Sequence, residues 1–312
     1  MKIVTGVTVR VPAKLNLQLA VGPPRADGYH NLVTVFHAVS LFDEITAEPA
    51  RRDGVTVSGE GADRVPADRD NLALRAVAAL RAAVPSAPGV HITIAKRIPV
   101  AAGLAGGSGD AAAALVACNE LWNGRVGQPQ LLEIAARVGS DVAFALLGGT
   151  AVGRGRGERL TPALAPATQY HWVLAFADGH LSTPEVYAAL DRQRARAGGR
   201  GAEVPAEPEL DAALMSALRS GDARLVGRAL SNDLQPAALS LFPALRKTLA
   251  AGLELGALGA LVAGSGPTCV FLAASADRAL DLAASLSGAG VCRSVARASG
   301  PAPGAVIVSP AR

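Results

Sequence analysis

Hydrophobic and polar positions repeat with two different periods in the first third of the chain. Residues 7–11 (VTVRV) alternate strictly, which predicts a half-buried strand that ends at Pro12. Residues 91–95 (HITIA) predict another strand. Between them, residues 71–83 carry apolar side chains at helical spacing, which predicts a helix. This part of the chain therefore combines strands with at least one helix.

A glycine-rich stretch at residues 99–110 (PVAAGLAGGSGD) leads directly into a strongly helix-forming sequence. We expect Ser108 or Asp110 to cap that helix, because short polar side chains accept hydrogen bonds from a helix N-terminus. The pattern predicts two further short helices, at residues 130–138 and 141–147. The glycines therefore lie between a predicted strand and a predicted helix.

Helices dominate the second half of the chain. Strands and helices come in blocks and do not strictly alternate, so the sequence predicts an α+β fold with two domains, residues 1–157 and 158–312. The predicted elements of the second half are strands at 172–177, 269–274 and 306–308 and helices at 184–196, 209–220, 223–230, 242–251 and 277–286.

The composition excludes several classes of protein. The chain is 50% hydrophobic and 18% charged, which excludes a disordered protein. No run of about 18 apolar residues is free of charges, glycine and proline, and the start lacks the apolar core of a signal peptide. The three cysteines are far apart, which favours free thiols in a reducing compartment. We therefore expect a cytoplasmic protein with no membrane partner.

The net charge of +4 is weak evidence about partners. Basic residues cluster once, at residues 191–201 (DRQRARAGGRG), without interleaved aromatic side chains. A contact with RNA is one interpretation of this cluster, and a solvated loop is the interpretation that we favour. We therefore expect no nucleic-acid partner.

The loop at residues 99–110 has the composition of an anion site. Glycines let backbone N–H groups approach an anion, and a following helix adds partial positive charge. The loop lacks the Gly-Lys-Ser/Thr ending of a Walker A motif and the spacing of a dinucleotide fingerprint. On the residues alone, phosphate binding is favoured and a tight structural turn is the alternative.

Three polar residues in apolar surroundings are candidates for chemistry. Lys14 and Asn16 share one face of an extended segment, although a lone lysine there is more often a surface residue. Asp141 opens an apolar helix, where it serves as a helix cap, as a first-turn acid favoured by the helix dipole, or as a base that accepts the proton of a hydroxyl. On the residues alone, the cap is favoured.

Residues 25–30 (RADGYH) form a predicted turn with an adjacent Tyr29 and His30. This pair suits stacking and hydrogen bonding to a planar base, and a solvent-facing loop with the tyrosine against the core is an equal alternative. Tyr187 is a candidate for a second aromatic surface, although a tyrosine in a helix is more often a core residue. The remaining histidines and the cysteines are scattered, so we expect no protein metal site.

Three motifs, in order, resemble those of the GHMP small-molecule kinases. They are residues 12–17 (PAKLNL), residues 99–108 (PVAAGLAGGS) and residues 264–268 (GSGPT). The resemblance covers the whole chain and implies a two-domain fold with the active site in the cleft between the domains. It also implies ATP, bound with Mg²⁺, as the phosphoryl donor.

Other segments resemble one branch of that family, whose acceptor is 4-diphosphocytidyl-2-C-methyl-D-erythritol of the methylerythritol phosphate route to isoprenoids. These segments are residues 13–17, 25–30, 96–99 and 139–142. The implied reaction is phosphorylation of the acceptor's 2-hydroxyl. A homoserine or mevalonate kinase is the alternative enzyme, and the Tyr29–His30 pair speaks against it because those acceptors carry no base. A non-catalytic nucleotide-binding regulator is the alternative outside enzymes.

The resemblance also assigns roles to individual residues. Asp141 resembles the catalytic base and Lys14 its catalytic partner near the transferred phosphate. Asn16, Tyr29, His30 and Tyr187 resemble substrate-binding residues, with the two tyrosines around the cytosine. We expect phosphates and water to hold most of the Mg²⁺ shell. We also expect the protein to be a monomer or a weak homodimer. The implied ATP-binding residues are Asn71, Leu72, Lys96, Pro99, Val100, Ala101, Ala102, Gly103, Leu104, Ala105, Gly106, Gly107, Ser108 and Gly109.

Overall fold

The computed structural model describes residues 6–164, 166, 168–197 and 205–311. Strands and helices are mixed within it, which confirms the α+β prediction. The strands are β1 (Gly6–Pro24), β2 (His30–Ala50), β3 (Gly54–Gly59), β4 (Gly89–Lys96), β5 (Thr150–Gly155), β6 (Arg159–Pro162), β7 (Tyr170–Phe176), β8 (Ser231–Asn232), β9 (Gly259–Val262), β10 (Cys269–Ala273), β11 (Ser294–Gly300) and β12 (Val306–Ala311). The helices are α1 (Leu72–Arg81), α2 (Gly106–Leu121), α3 (Gln128–Val138), α4 (Ser140–Leu147), α5 (Thr183–Ala197), α6 (Ala212–Ser220), α7 (Ala223–Arg228), α8 (Gln235–Leu241), α9 (Leu245–Glu254) and α10 (Ala276–Gly288).

Strand β1 is much longer than the sequence predicts. The prediction that it ends at Pro12 is wrong, because the strand continues to Pro24. Its pairing with β2 shifts register between Pro12 and Ala13 and again between Asn16 and Gln18. A proline is tolerated at such an irregularity because the missing N–H costs no regular ladder bond. The proline thus bends the strand without ending it.

The first sheet is built around the pair β1 and β2. Its main order is β12-β1-β2-β4-β3, and β5 pairs with β2 and with β6 while β8 pairs with β1. Strand β2 is long enough to have two neighbours on one side. Residues 44–50 of it pair with β4, and residues 32–37 pair with β5. The two long strands therefore hold the sheet together over its whole length.

Helices α1 to α4 cover one face of this sheet. The alanines of α2 at positions 111–114 are fully buried in the apolar cluster that this face forms with the helices. Their small side chains let the helix approach the sheet and α1 closely. The start of α2, which follows the glycine-rich loop, is thereby held rigidly against the sheet.

The second sheet has the order β11-β7-β10-β9. Its strands are antiparallel, and the side chains of β7 and β10 pack into two apolar clusters with α5 to α10. The sequence did not predict β9, β11 or α8. Residues 13–17 of β1 enter one of these clusters beside Trp172, so β1 joins the cores of both sheets.

The predicted division between residues 157 and 158 stays a prediction. That position lies in the turn between β5 and β6, two strands of the first sheet. The last strand, β12, also returns to the first sheet and pairs with β1.

The interpretation of residues 191–201 as a loop is wrong for its first part, where the predicted helix at 184–196 is confirmed instead. Residues up to Ala197 belong to α5, and residues 198–201 lie outside the described part of the chain. Arg194 donates hydrogen bonds to the carbonyl of Gly22 and to Asp233. This arginine therefore fastens α5 to the first sheet.

In the part of the chain that the structure describes, no helix is both long and apolar enough to cross a bilayer.

His37 lies where the two sheets meet. Its ring lies 5.8 Å from the rings of both Tyr170 and Trp172, and one ring nitrogen, Nδ1, is 2.8 Å from the hydroxyl of Thr150. Burial lowers the pKa of His37 to about 3. The folded protein therefore holds this imidazole neutral throughout the physiological range.

We predict that His37 makes the fold sensitive to acid. Below pH about 6.5 the unfolded chain binds a proton at this position and the folded chain does not, so stability falls as the pH decreases. His37→Gln removes this titration and should reduce the loss of unfolding free energy between pH 7.5 and pH 5 by about 2 kcal/mol. Urea denaturation at both pH values measures it. The exposed His180→Gln is the control, and equal effects of the two variants would contradict the prediction.

Candidate active site

A cavity of about 910 Å³ opens between the first sheet, the start of α2, helix α5 and the loop that follows β9. Lys14 and Thr34 from the first sheet, residues 99–103 and 105–108, Asp141 and Tyr187 all line it. Two residues of the predicted ATP-binding set do not line it. Leu104 is buried in an apolar cluster, and a Cβ at Gly109 would contact Val11, so these two residues support the loop from behind. The other predicted site residues line the cavity: Asn16, Tyr29, His30, Asn71, Leu72, Lys96, Pro99, Val100, Ala101, Ala102, Gly103, Ala105, Gly106, Gly107 and Ser108.

The glycine-rich loop has an unusual backbone. Ala101, Gly103 and Ala105 all have positive φ, at 55°, 77° and 58°. Non-glycine residues rarely adopt this conformation, and strain of this kind is typical of functional loops. Ala105 is the cap of α2 and makes no side-chain hydrogen bond to it. The prediction that Ser108 or Asp110 caps the helix is wrong, since both lie inside α2.

The first turn of α2 faces the cavity with open donors. Within the helix, the N–H of Gly109 donates to the carbonyl of Ala105 at 2.9 Å, so the N–H groups of residues 106–108 precede the regular ladder. These groups and the helix dipole favour a bound anion. The sixteen-residue length of α2 gives the dipole its full effect at this end.

A second glycine loop, residues 264–268, packs directly on the first. A side chain at Gly103 would overlap the carbonyl oxygen of Ala263. Asn232 donates hydrogen bonds of 2.7 Å to the carbonyls of Val262 and Gly264, which holds the second loop in place. The two glycine loops, far apart in the sequence, thus form one wall of the cavity.

Lys14 and Asn16 are joined as the extended pattern predicts. Lys14 Nζ donates to Asn16 Oδ1 at 2.7 Å, and Asn16 Nδ2 donates to Thr34 Oγ1 at 2.8 Å. Thr34 in turn donates to the carbonyl of Gln18 at 2.7 Å. This chain of hydrogen bonds fixes the position of the ammonium group, whose side chain is only 10% exposed.

Asp141 lies opposite Lys14. Its Oδ2 is 3.9 Å from Lys14 Nζ, and its side chain is 32% exposed. The favoured interpretation from the residues alone, a helix cap, is wrong. Gly139 is the cap position of α4, and no side-chain hydrogen bond caps the helix. The carboxylate is therefore open to the cavity and to a hydroxyl placed there.

Lys96 lies in a buried cluster of charges below the loop. Its Nζ donates to Asp43 at 2.5 Å and to Asp110 at 2.7 Å, and a Cβ at Gly106 would lie 3.0 Å from it. Burial alone lowers the pKa of Lys96, but the two carboxylates more than reverse this and raise it. Burial also raises the pKa of Asp110. The cluster ties strands β2 and β4 to the first turns of α2.

Asn71 stabilises the start of α1 and also lines the cavity. It caps α1, with its side-chain oxygen accepting from the N–H of Ala73 at 2.9 Å and its amide donating to the carbonyl of Pro66 at 2.7 Å. The neighbouring Leu72 approaches the position of a Cβ at Gly107. Both residues therefore border the open first turn of α2.

The far end of the cavity is aromatic. Tyr29 is 54% exposed, and the rings of His30 and Tyr187 lie 4.9 Å apart at 39°. His30 Nε2 is 3.0 Å from a carboxylate oxygen of Asp191 on α5. Burial, with a smaller contribution from the charge of Asp141, raises the pKa of Tyr187. The aromatic end therefore shares one cavity with the Lys14–Asp141 pair.

The sequence alone did not identify Asp43, Asp110 or Thr34 as parts of the site. Asp43 lies 53 positions before Lys96 in the chain, and no local pattern connects them. The one feature of the sequence near this charge cluster is Lys96, which precedes the proline and glycines of residues 99–103. It suggested that the lysine binds a ligand, and it did not suggest an ion pair.

Comparison with known proteins agrees with this geometry. The model of the GHMP kinases N terminal domain matches residues 71–149, and that of the GHMP kinases C terminal domain matches residues 214–292. The chain belongs to the GHMP kinase family.

Similar proteins place it within one branch of that family. It is 58% identical to a 4-diphosphocytidyl-2-C-methyl-D-erythritol kinase of Thermobifida fusca, over 97% of this chain and 99% of the relative. A crystal structure of a 4-(cytidine 5'-diphospho)-2C-methyl-D-erythritol kinase superposes with a TM-score of 0.73 at 36% identity, over 93% of this chain and 98% of that one. A homoserine kinase of Cytophaga hutchinsonii also has a TM-score of 0.73, over 99% of both chains, but at 20% identity it shows only the shared fold.

We predict that Lys96 is essential for stability. Lys96→Met leaves two buried carboxylates without their counter-charge and should lower the unfolding free energy by about 3–5 kcal/mol. Adding Asp110→Asn to this variant should recover part of the loss. Chemical denaturation measures both effects, with the exposed Lys247→Met as the control. A Lys96→Met protein of unchanged stability that only binds ATP more weakly would contradict the prediction.

Proposed function

We propose that the protein transfers the γ-phosphoryl group of ATP to the 2-hydroxyl of 4-diphosphocytidyl-2-C-methyl-D-erythritol. The observation that carries the proposal is the Lys14–Asp141 pair, 3.9 Å apart in a cavity with a helix N-terminus on one side and aromatic rings on the other. This arrangement suits a triphosphate and an acceptor that ends in a planar base.

Asp141 is the proposed base. Its open carboxylate accepts the proton of the acceptor's 2-hydroxyl as the hydroxyl oxygen bonds to the γ-phosphorus. The bond between that phosphorus and the oxygen bridging to the β-phosphate breaks, and ADP leaves with the electron pair. Lys14 stabilises the charge on the transferred group, since its ammonium is held 2.7 Å from Asn16 and cannot turn away.

The proposed ATP site is the loop at residues 99–108. Open N–H groups at the start of α2 would receive the phosphates, and Asn71 and Leu72 would border the adenosine. We assign Lys96 an indirect role, because both of its strong hydrogen bonds go to carboxylates.

Mg²⁺ is proposed to accompany ATP. In the described part of the chain, no group of three or more acidic, histidine or cysteine side chains could hold a metal ion. The cation prefers oxygen ligands and keeps water readily, so ATP phosphates and water, with the Ser108 hydroxyl at the loop, would hold it. When bound, it would neutralise phosphate charge.

Tyr29, His30 and Tyr187 form the proposed cytidyl site. Aromatic faces stack on a pyrimidine, and a histidine supplies hydrogen bonds to its polar edge. Homoserine and mevalonate carry no base, so this aromatic end favours the cytidyl acceptor over the alternative kinases.

A cytoplasmic location is proposed as well. Cys118, Cys269 and Cys292 are all free thiols, which suits a reducing compartment. For the assembly we propose a monomer or a weak homodimer.

A comparison of acceptors tests the proposed function. Purified protein with ATP and Mg²⁺ should release ADP with the cytidyl acceptor and at background rates with homoserine or mevalonate. A coupled ADP assay measures all three under the same conditions. Turnover of homoserine or mevalonate in place of the cytidyl compound would refute the assignment.

Asp141→Asn tests the proposed base. Because the amide cannot accept the proton, kcat should fall about 100-fold to 10,000-fold. The circular dichroism spectrum and melting temperature should stay close to those of the wild type, since no cap depends on this side chain. Near-normal turnover in a folded variant would rule out Asp141 as the base.

A further inference from the structure

Arg156 is an unassigned cation at the acceptor end of the cavity. It lies in the turn between β5 and β6, and its guanidinium carbon is 5.0 Å from the centre of the Tyr29 ring. Arg156 lines the cavity together with Tyr29 and His30. We propose that Arg156 binds the diphosphate of the acceptor, an inference that rests on the proposed function.

Charge balance inside the cavity supports this inference. Four lysine and arginine residues of the described chain line it: Lys14, Arg64, Lys96 and Arg156. Lys96 is neutralised by two buried carboxylates, and Lys14 lies beside Asp141 where phosphoryl transfer is proposed. Arg64 belongs to the turn Ala62–Arg64, near the proposed adenosine site. A diphosphate between a base at Tyr29 and a hydroxyl at Asp141 therefore has one remaining cation to meet.

Arg156 is kept available for such a ligand. No salt bridge joins it to an acidic side chain anywhere in the described ranges. The nearby Glu158 accepts instead from the backbone N–H of Arg156, at 2.6 Å. That contact stabilises the turn and leaves the guanidinium its full charge. A guanidinium binds phosphate oxygens in a fixed, two-pronged geometry.

The turn itself is built to bring Arg156 close to the reaction centre. Gly155 and Gly157, on either side of it, have φ of 75° and 101°. A Cβ at Gly157 would lie 3.3 Å from the ring of Phe36. Lys14 Nζ lies 5.7 Å from the centre of the same ring. Phe36 therefore lies next to both the turn and Lys14, and Arg156 lies beside Tyr29 in the same cavity.

Two ligands separate phosphate recognition from aromatic stacking. Cytidine carries the base and the ribose without phosphate, and cytidine 5'-diphosphate adds the two phosphates. Arg156→Met keeps much of the apolar length of the side chain and removes its charge. If Arg156 binds phosphate, Arg156→Met should lower the affinity for cytidine 5'-diphosphate by about tenfold to 100-fold. It should lower the affinity for cytidine by less than about threefold.

Isothermal titration calorimetry of both ligands on wild type, Arg156→Met and Arg156→Lys provides the measurement. Arg156→Lys should retain part of the preference for the diphosphate, because the charge remains. Arg154→Met, on the same hairpin but outside the cavity lining, is the matched control and should bind both ligands as the wild type does.

The outcomes distinguish this inference from the proposed function. If Arg156→Met lowered the affinity for both ligands equally, the arginine would act through the stacking of Tyr29. If it lowered neither affinity, the arginine would have no role in binding. Either result would overturn this inference and leave the proposed function standing. A wild-type protein that binds both ligands equally also overturns it. A wild-type protein that binds neither ligand and phosphorylates no cytidyl acceptor overturns the proposed function and the inference with it.

Discussion

The site depends on one close approach of two backbone segments. Gly103 in the first glycine loop lies so near the carbonyl of Ala263 that any side chain would collide with it. This contact joins a loop that follows β4 to a loop that follows β9, 160 positions later in the chain. A Cβ at Gly264 would lie 3.3 Å from Lys14 Nζ, so the same contact also encloses the ammonium group. Glycine is required because only hydrogen fits there.

Charge is arranged in two layers around that contact. The buried layer is the cluster of Lys96 with Asp43 and Asp110, which holds the start of α2 against the sheet. The open layer contains the first-turn N–H groups of α2, Lys14 and Asp141, which face the cavity. A buried ion cluster adds little net stability but makes alternative packings costly. It thereby keeps the helix N-terminus directed at the place where phosphates are proposed to bind.

Local patterns predicted most elements, and the resemblance to the GHMP kinases predicted many of the residues that line the cavity. The helical spacing at 71–83 and the short apolar run after residue 140 correspond to α1 and α4. The register of Lys14 and Asn16 on one face of a strand is confirmed by their hydrogen bond. Motif order identified the family, because three short segments at fixed relative positions rarely occur together by chance. The helical spacing, the apolar run and the alternation in β1 are local features that short-range spacing determines, whereas the motif order extends from residue 12 to residue 268.

The sequence by itself therefore determined which positions carry charged side chains, aromatic rings or conformationally free glycines, and the order of these positions along the chain. The tertiary structure decided what those groups contact. It carried β1 past Pro12 through a bulge, since pairing with β2 on both sides of the proline outweighed the missing N–H. It left Asp141 free of a cap and gave Lys96 two carboxylates from distant elements. Contacts of this kind join residues far apart in the chain, and no local periodicity encodes them.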